Sequence, residues 1–358
     1  NDKAIIAAPQ PIRWLIAKLI STRRAPVARE IYEHLGGKSP LLELTQAQAQ
    51  ALENALSGDN SGAIYKVFIA MRYWHPMSAE CVSQVKSWGA DEVLLLPLYP
   101  QFSTTTTGSS FAEWERRTKA AGLKVPVARI GCYPTQPDFI KAHANLLAVN
   151  LAEAKKFGQP RVLFSAHGLP QKVVDAGDPY QWQVEKTAAA ILEQMPQGTD
   201  EGGQQADPAM SPRPVPQSLG EGGSGSPCEN QEIFTGQDKI DYTVCYQSKV
   251  GPLKWLEPST EAEIMRAGRD GVPLVIVPIA FVSEHSETLV ELDIEYRDLA
   301  KQHCVPAYFR VPALGVQPNY IEGLKKICLS ARKNHTASHT GDRLCPPSFA
   351  KCLCRDGF

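Results

Sequence analysis

The stretch RVLFSAHGLP, residues 161–170, decides the fold class of this chain. Its first six residues form a largely apolar run, which predicts a strand covered on both faces of a parallel sheet. The run ends at His167, and a glycine and a proline follow closely, as in a loop that leaves the carboxyl end of a strand. Ligands of open α/β sheets bind at that edge. His167 is therefore a candidate functional residue, and a purely structural loop histidine is the alternative.

Strand-like and helix-like segments alternate on both sides of that stretch. The helix-length segments include residues 78–89 and residues 138–158, each of which starts at a capping residue and ends at a glycine. Such alternation predicts an α/β fold with parallel sheets. The segments form two similar blocks, so we expect two Rossmann-like domains with a cleft between them. The expected strands are residues 63–71, 92–99, 125–132, 161–166, 241–248 and 273–281.

Three parts of the chain are expected on this basis. The N-terminal half covers residues 1–158, the C-terminal half covers residues 159–330, and a cysteine-containing tail covers residues 331–358. Inside the second half, residues 196–236 are rich in Pro, Gly, Gln and Ser and predict a disordered insertion, which acts as filler or as a lid. The chain starts in helix-like sequence without an initiator methionine. We therefore expect an N-terminally truncated first half that lacks its first strand.

Composition excludes several classes of protein. The chain has 358 residues, of which 43% are hydrophobic and 21% charged, and its net charge is −1. That balance gives no electrostatic reason to expect a nucleic-acid partner. The sequence contains no apolar run of about 18 residues that would span a membrane. Nine scattered cysteines favour a reducing compartment, so a cytoplasmic protein is expected.

The helix-like stretch PQPIRWLIAKLISTRRAP, residues 9–26, combines an apolar stripe with basic residues. Ile12, Trp14 and Leu15 belong to the stripe, and Lys18 and Arg23 to the basic flank. This pattern is typical of a helix at a membrane interface and predicts weak peripheral contact with the inner membrane. The rim of an apolar ligand pocket and plain core packing are the alternatives.

An acidic cluster follows the strand expected at residues 273–281. Glu287, Glu291 and Glu295 are four residues apart and fall on one helix face, where like charges repel. A solvated acidic face is the ordinary explanation. The carboxylates nevertheless begin at the carboxyl end of a strand, beside His285. Carboxylates and a histidine suit a divalent cation such as Fe²⁺.

Two further strand ends carry groups that suit a flat or anionic ligand. LPLYPQFSTTTTGSS, residues 96–110, leads from a strand into a helix start, where N–H groups and hydroxyls can bind an anion. Ordinary helix capping is the alternative explanation. Arg72 follows the strand expected at residues 63–71 and lies beside aromatic residues. Exposed aromatics with an arginine suit a large planar ligand, although plain packing explains any one of them equally well.

Four blocks together resemble the ferrochelatase family in composition and order: LPLYPQFSTTTTGSS, LFSAHGLP with GDPY, YQSKVGPLKWLEPST, and PIAFVSEHSETLVELDIEY. The resemblance runs from residue 26 to about residue 320, apart from the insertion. It implies two type II chelatase domains and an enzyme that inserts Fe²⁺ into protoporphyrin IX, with release of two protons, to give haem. The alternatives are a chelatase for coproporphyrin or cobalt, and a non-catalytic porphyrin- or haem-binding protein.

The resemblance also implies roles for individual residues. His167 accepts pyrrole protons or contacts the metal first, since a neutral imidazole accepts protons near neutral pH. Glu287 takes protons or guides the metal from the opposite side, and Glu291 and Glu295 form a relay toward solvent. The substrate-binding residues implied are Arg24, Tyr32 and Ser39 at the propionates and Tyr99 and Trp255 in the pocket, to which Arg72 is added from its position.

The tail carries three cysteines within ten residues, Cys345, Cys352 and Cys354. Thiolates ligate iron–sulfur clusters or zinc. Some ferrochelatases resemble this tail and hold a [2Fe–2S] cluster with a fourth cysteine from the body of the protein. This chain has Thr104 where that cysteine often lies, so another body cysteine, such as Cys132, is needed. A metal-free tail and a zinc site are the alternatives.

Overall fold

The computed structural model describes residues 35–59, 62–195, 240–249, 251–331 and 335–354, with seven separate positions before them: Pro9, Ile12, Trp14, Lys18, Thr22, Tyr32 and Glu33. The insertion predicted at residues 196–236, and Arg24, lie outside the described residues.

The first half of the chain alternates helices with short strands. Its helices are α1 (Leu41–Ser57), α2 (Ser78–Trp88), α3 (Thr107–Ala121) and α4 (Pro137–Ala154), and its strands are β1 (Val93–Leu95) and β2 (Val127–Cys132). Gln136 caps the N-terminus of helix α4, and its side chain accepts a hydrogen bond from the backbone N–H of Phe139. Pro137 occupies the first position of the helix. Both are favourable at a helix N-terminus.

The second half continues the alternation with longer strands. Its strands are β3 (Arg161–His167), β4 (Asp241–Gln247), β5 (Leu274–Pro278) and β6 (Tyr308–Arg310). Helices α5 (Gln171–Asp175), α6 (Tyr180–Gln194) and α7 (Thr260–Asp270) connect them, followed by a π-helix (Glu287–Glu295) that runs into α8 (Tyr296–Gln302). Helix α9 (Pro318–Ser330) and strand β7 (Thr336–Ser338) are the last regular elements of the described chain.

The strands form two parallel sheets, in the orders β1-β2-β7 and β4-β3-β5-β6. Strand β3 lies inside the second sheet, and its Val162, Leu163 and Phe164 side chains are fully buried. A strand covered on both faces by helices needs such a continuous apolar sequence. The prediction of an α/β fold with parallel sheets, made from this run, is therefore confirmed.

Helix α4 belongs to a hydrophobic core that reaches both sheets. Ile130 of the first sheet and Phe164 and Val277 of the second are buried in the same cluster as Leu147 of α4. This shared core fixes the carboxyl ends of the two sets of strands relative to each other. The division at residue 159 stays a prediction.

Two expected elements differ from the structure. Residues 63–70 form no regular strand, and the N–H of Val67 donates to the Glu53 carboxylate at 2.8 Å instead of to a sheet partner. The tail, expected to follow the two halves, contributes β7 to the first sheet beside β2. No helix in the described ranges is long and apolar enough to cross a bilayer.

Candidate active site

His167 is the last residue of β3, at the edge where the parallel strands end. Its backbone carbonyl accepts a hydrogen bond from the Tyr180 hydroxyl at 3.0 Å, and the N–H of Gly168 donates to the carbonyl of Gln247 at 2.9 Å. Both contacts fix the backbone at the point where the strand becomes a loop. The imidazole is 40% exposed, so it remains accessible to a ligand.

Gly168 allows Trp255 to lie against this loop. A Cβ atom at Gly168 would come within 3.3 Å of the Trp255 ring and 3.1 Å of the Gln247 carbonyl oxygen, which is tighter than ordinary contact. A cavity of about 470 Å³ lies beside the loop and is lined by Gly168, Tyr246 and Trp255, among others. Trp255, one of the two aromatic residues expected in the pocket, therefore lies beside the residue that follows His167.

His167 and Glu287 are in direct contact. His167 Nδ1 lies 2.9 Å from Glu287 Oε2. Burial disfavours the imidazolium, but the hydrogen bond and the charge of Glu287 outweigh that effect and raise the pKa of His167. Burial likewise disfavours the carboxylate, and the contact with His167 lowers the pKa of Glu287 in spite of it. The two residues thus form a partly buried pair that holds a proton between them.

The Glu287–Glu295 segment is a π-helix, a rare element that is frequent at functional sites. Glu291, four residues beyond Glu287, accepts hydrogen bonds from the Ser248 hydroxyl at 2.6 Å and the Ser248 N–H at 2.9 Å. Burial raises the pKa of Glu291, and the charge of Glu287 raises it further. Glu295 is exposed, and its side chain forms no hydrogen bond or ion pair with a described residue.

His285 also faces Glu287, with Nε2 4.0 Å from Glu287 Oε2. It packs on Phe281 with ring centroids 4.7 Å apart. Burial lowers the pKa of His285. The sequence places His285 beside the acidic cluster but indicates no role for it. His285 and His167 are far apart in the sequence, so the sequence cannot show that both face the Glu287 carboxylate.

Arg310 of β6 binds the segment that carries His285, Glu287 and Glu291 at two points, just before the π-helix and within it. Its guanidinium binds both Asp293 carboxylate oxygens, at 2.9 and 2.6 Å, and Glu284 Oε1 at 2.6 Å. Glu284 precedes the π-helix and Asp293 lies within it. Only 10% of the Arg310 side chain is exposed, so these charge-assisted bonds act at low local dielectric.

Arg72 and Tyr99 are two further residues expected to bind the substrate. The Arg72 Nε donates to the Ser109 hydroxyl at 3.0 Å, and its guanidinium lies 5.2 Å from the Tyr73 ring centroid. Burial raises the pKa of Tyr99, and the charges of Tyr73 and Glu287 contribute to that rise.

Of the three residues implied for the propionates, Tyr32 and Ser39 are described and are not brought into this group. The Ser39 hydroxyl accepts a hydrogen bond from the Leu41 N–H at 3.3 Å, at the start of α1. Tyr32 is exposed. Neither residue contacts His167 or Glu287 in the described structure.

Asp178 of the GDPY block organises the loop that precedes α3. It is fully buried, and Oδ2 accepts hydrogen bonds from the Thr104 N–H, the Thr104 hydroxyl and the Ser103 hydroxyl. Two residues later, Tyr180 donates to the His167 carbonyl. The GDPY motif resembles the family's sequence, but the sequence does not indicate which N–H and hydroxyl groups the Asp178 carboxylate binds.

The tail cysteines are buried together against the end of β2. Cys345, Cys352 and Cys354 belong to one buried cluster. Cys132, the last residue of β2, is also buried. A Cβ atom at Gly131 would lie 2.8 Å from the Cys354 sulfur, so only glycine leaves room for this sulfur.

No group of three or more His, Cys, Asp or Glu residues in the described ranges is arranged to hold a single metal ion. A binuclear cluster makes a different demand, because four thiolates are shared between two irons. Cys132, Cys345, Cys352 and Cys354 supply four free thiols, the number that such a donor set needs.

Comparison with known proteins finds a matching family and similar relatives. The family model for ferrochelatase matches residues 1–332. A ferrochelatase of Caulobacter vibrioides (strain NA1000 / CB15N) is 46% identical over 359 residues, covering 100% of this chain and 91% of the relative. A ferrochelatase of Wolbachia sp. subsp. Drosophila simulans is 46% identical over 329 residues, covering 92% and 90%. A solved structure, SirB from Bacillus subtilis with Fe³⁺, covers 78% of this chain and 87% of its own, at 14% identity and a TM-score of 0.47.

The chain is thus a metal chelatase, an enzyme that places a metal ion into a tetrapyrrole. More specifically, it belongs to the ferrochelatase family, since the family model covers most of its length and the relatives match it almost end to end. Its activity is the insertion of Fe²⁺ into protoporphyrin IX to give haem. The predictions of family, fold class and reaction made from the sequence are confirmed.

Proposed function

We propose that His167 and Glu287 remove the pyrrole protons while Fe²⁺ enters the porphyrin ring. The observation that carries this proposal is the 2.9 Å contact between His167 Nδ1 and Glu287 Oε2 at the edge of the sheet. With Nδ1–H donated to the carboxylate, Nε2 is the nitrogen with a lone pair, and no described residue hydrogen-bonds to it. Nε2 can therefore accept a pyrrole proton, and Glu287 stabilises the imidazolium that results.

Metal delivery uses the same groups. Imidazole nitrogen and carboxylate oxygen both ligate Fe²⁺. Glu287 is 33% exposed and lies between two histidines, His167 and His285, so it can contact the incoming ion while the ion sheds water. The reaction then exchanges two pyrrole protons for one Fe²⁺ with no change of charge in the products overall.

An anaerobic assay tests this function directly. Protoporphyrin IX in excess is incubated with the protein and Fe²⁺, and its fluorescence is followed as metal enters the ring. Loss of fluorescence through many equivalents per protein is the expected result. Quenching that stops at one equivalent would identify a porphyrin-binding protein instead, and faster turnover with coproporphyrin or with Co²⁺ would identify a different chelatase.

The porphyrin carboxylates are assigned to the arginine side of the pocket. Arg72 lies beside Tyr73 and near Tyr99, and Arg24, Tyr32 and Ser39 are the further candidates that the family resemblance implies. Arg72→Gln is expected to raise KM for protoporphyrin IX by about tenfold, as loss of a charged hydrogen bond would. Arg269→Gln, at an exposed position of α7, is the control and should leave KM unchanged.

The four clustered cysteines are proposed to hold a [2Fe–2S] cluster, with Cys132 as the fourth ligand beside Cys345, Cys352 and Cys354. When bound, such a cluster supplies a redox-active centre. The support is the burial of the three tail cysteines in one cluster and the glycine beside Cys132 that makes room for the Cys354 sulfur. Gln183 Nε2 also donates to the Cys345 sulfur at 3.0 Å, a contact typical around cluster thiolates.

Iron and acid-labile sulfide content of anaerobically purified protein tests the cluster. About two of each per chain are expected, with visible absorbance that Cys132→Ser abolishes. Cys81→Ser, at another buried cysteine outside the group, should retain both. Bound zinc, or a chain without metal, would contradict the proposal.

Peripheral membrane contact is proposed for the start of the chain. Ile12 and Trp14 are about half exposed, and the Lys18 ammonium lies 5.0 Å from the Trp14 ring centroid. Co-sedimentation with vesicles of phosphatidylethanolamine and phosphatidylglycerol is expected to fall for Trp14→Ser. Trp88→Ser removes an equally exposed tryptophan elsewhere and serves as the control. Equal binding by both variants would contradict membrane contact at this helix.

A further inference from the structure

We infer that protons released during metal insertion leave the site through Ser248, Glu291 and Tyr296 to Glu261, and not along the π-helix to Glu295. The inference rests on the proposed role of His167 and Glu287 as the first proton acceptors.

The first part of this route leads from the active-site pair to the second carboxylate. Glu287 Oε2, which contacts His167, lies 3.4 Å from the Ser248 hydroxyl. The same hydroxyl lies 2.6 Å from Glu291 Oε2. A hydroxyl has one donor and accepts through its lone pairs, so Ser248 can receive a proton on one side while it donates on the other.

The second part leads away from the pocket. Glu291 Oε1 lies 3.0 Å from the Tyr296 hydroxyl, and that hydroxyl lies 3.0 Å from Glu261 Oε1. One phenolic hydrogen serves only one carboxylate at a time. When Glu291 holds a proton, it donates to the Tyr296 oxygen while Tyr296 donates to Glu261. Glu261 is partly exposed in the first turn of α7, where it can pass the proton to water.

Glu295 does not continue this chain of contacts. Its carboxylate is exposed and forms no hydrogen bond with a described residue, including Glu291 four positions before it. Tyr296, the next residue, instead points its hydroxyl back to Glu291. Sequence spacing favoured Glu295 as the next member, whereas the hydrogen bonds favour Tyr296.

Each transfer conserves atoms and charge. A pyrrole N–H bond breaks and an N–H or O–H bond forms at the His167–Glu287 pair. The pair then gives a proton to Ser248, whose own proton moves to Glu291. Glu291 gives its proton to the Tyr296 oxygen as the phenolic proton moves to Glu261, and water removes the last one. Two such passages remove the two protons of one porphyrin, and no oxidant or reductant is needed.

Two pairs of matched variants test the route. Tyr296→Phe removes the relay hydroxyl, and Tyr308→Phe removes a hydroxyl that also binds the π-helix, at the Leu292 carbonyl, but lies off the route. Glu261→Gln breaks the exit, and Glu263→Gln changes a carboxylate in the same turn that pairs with Arg266. The measurements are steady-state insertion of Fe²⁺ into protoporphyrin IX, with kcat and KM separated, and the solvent deuterium isotope effect on kcat.

Tyr296→Phe and Glu261→Gln are expected to lower kcat by about tenfold or more with KM unchanged and a larger isotope effect, because proton release becomes limiting. Tyr308→Phe, Glu263→Gln and Glu295→Gln should keep the wild-type isotope effect.

The inference is overturned if Glu261→Gln behaves like Glu263→Gln, or if Glu295→Gln is the more damaging change. Glu261→Gln decides the matter even where Tyr296→Phe fails to fold. An inactive wild-type protein would contradict the proposed function itself, and an active one with unaffected relay variants would contradict only the route.

Discussion

His167 and Glu287 lie 120 positions apart in the sequence, and their side chains meet at 2.9 Å. The sheet order explains the contact. Strands β3 and β5 are neighbours, so the loop after β3 and the segment after β5 leave the sheet at the same edge. The parallel α/β fold therefore brings the pair together. Because Glu287 is the acidic residue that contacts His167, we expect its substitution to reduce activity more than substitution of Glu295.

Glu287→Gln is expected to lower kcat by about 10²-fold or more, because it removes the carboxylate that orients and stabilises His167. Glu295→Gln is expected to change kcat less than threefold, since Glu295 is exposed and unpaired among the described residues. Steady-state insertion of Fe²⁺ into protoporphyrin IX compares them. Small and equal effects would show that the acidic residues form only a solvated face.

Arg310→Lys is expected to lower kcat by about tenfold or more beyond its effect on the folded fraction. A lysine keeps the charge but cannot bind Asp293 and Glu284 together, so the π-helix loses its fixed position, and small displacements in a site are costly.

Arg161→Lys is the matched control for that change. Arg161 also binds two carboxylates, Asp241 and Asp270, with 10% of its side chain exposed, but it lies at the opposite end of β3. The Arg161→Lys variant should have a lower free energy of unfolding than wild type and the same kcat. Equal kcat values for the two variants would contradict a positioning role for Arg310.

The stability of the fold is expected to fall in mild acid because of His143. This histidine is fully buried in α4, and neither ring nitrogen has a hydrogen-bond partner among the described residues. Burial lowers its pKa to about 3 from the ordinary 6.5. The unfolded chain takes up a proton below pH 6.5 and the folded chain does not, so this group costs about 1.4 kcal/mol per pH unit as pH falls from 6.5 toward 3.

His143→Gln removes that titration. Its free energy of unfolding relative to wild type should rise by about 2 kcal/mol between pH 7 and pH 5 in denaturant titrations. His303→Gln, at an exposed position, should show a much smaller change. A pH-independent difference between wild type and His143→Gln would contradict the assignment.

The candidate site residues at the strand ends could be predicted from the sequence. The hydrogen-bond network that joins them could not. An apolar run followed by glycine and proline placed His167, and the carboxylates after β5 placed Glu287. Spacing of four residues could not distinguish an α-helix from a π-helix, because the two differ only in which backbone groups pair.

The same limit applies to contacts made across elements. Nothing in the sequence indicates that the Tyr296 hydroxyl joins Glu291 to Glu261 of another helix. Residues 63–71 have the composition of a strand, but a side chain takes the N–H of Val67. Tertiary contacts decided both cases, and a local pattern does not contain them.

The rate of anaerobic Fe²⁺ insertion into protoporphyrin IX by His167→Ala tests the central claim most directly. His303→Ala is measured beside it as the control, and porphyrin binding by both is followed through porphyrin fluorescence. The account predicts a loss of about 10²-fold or more in kcat for His167→Ala with porphyrin binding largely retained. A loss of less than about tenfold, with the variant folded and saturated with porphyrin, would contradict His167 as the proton acceptor.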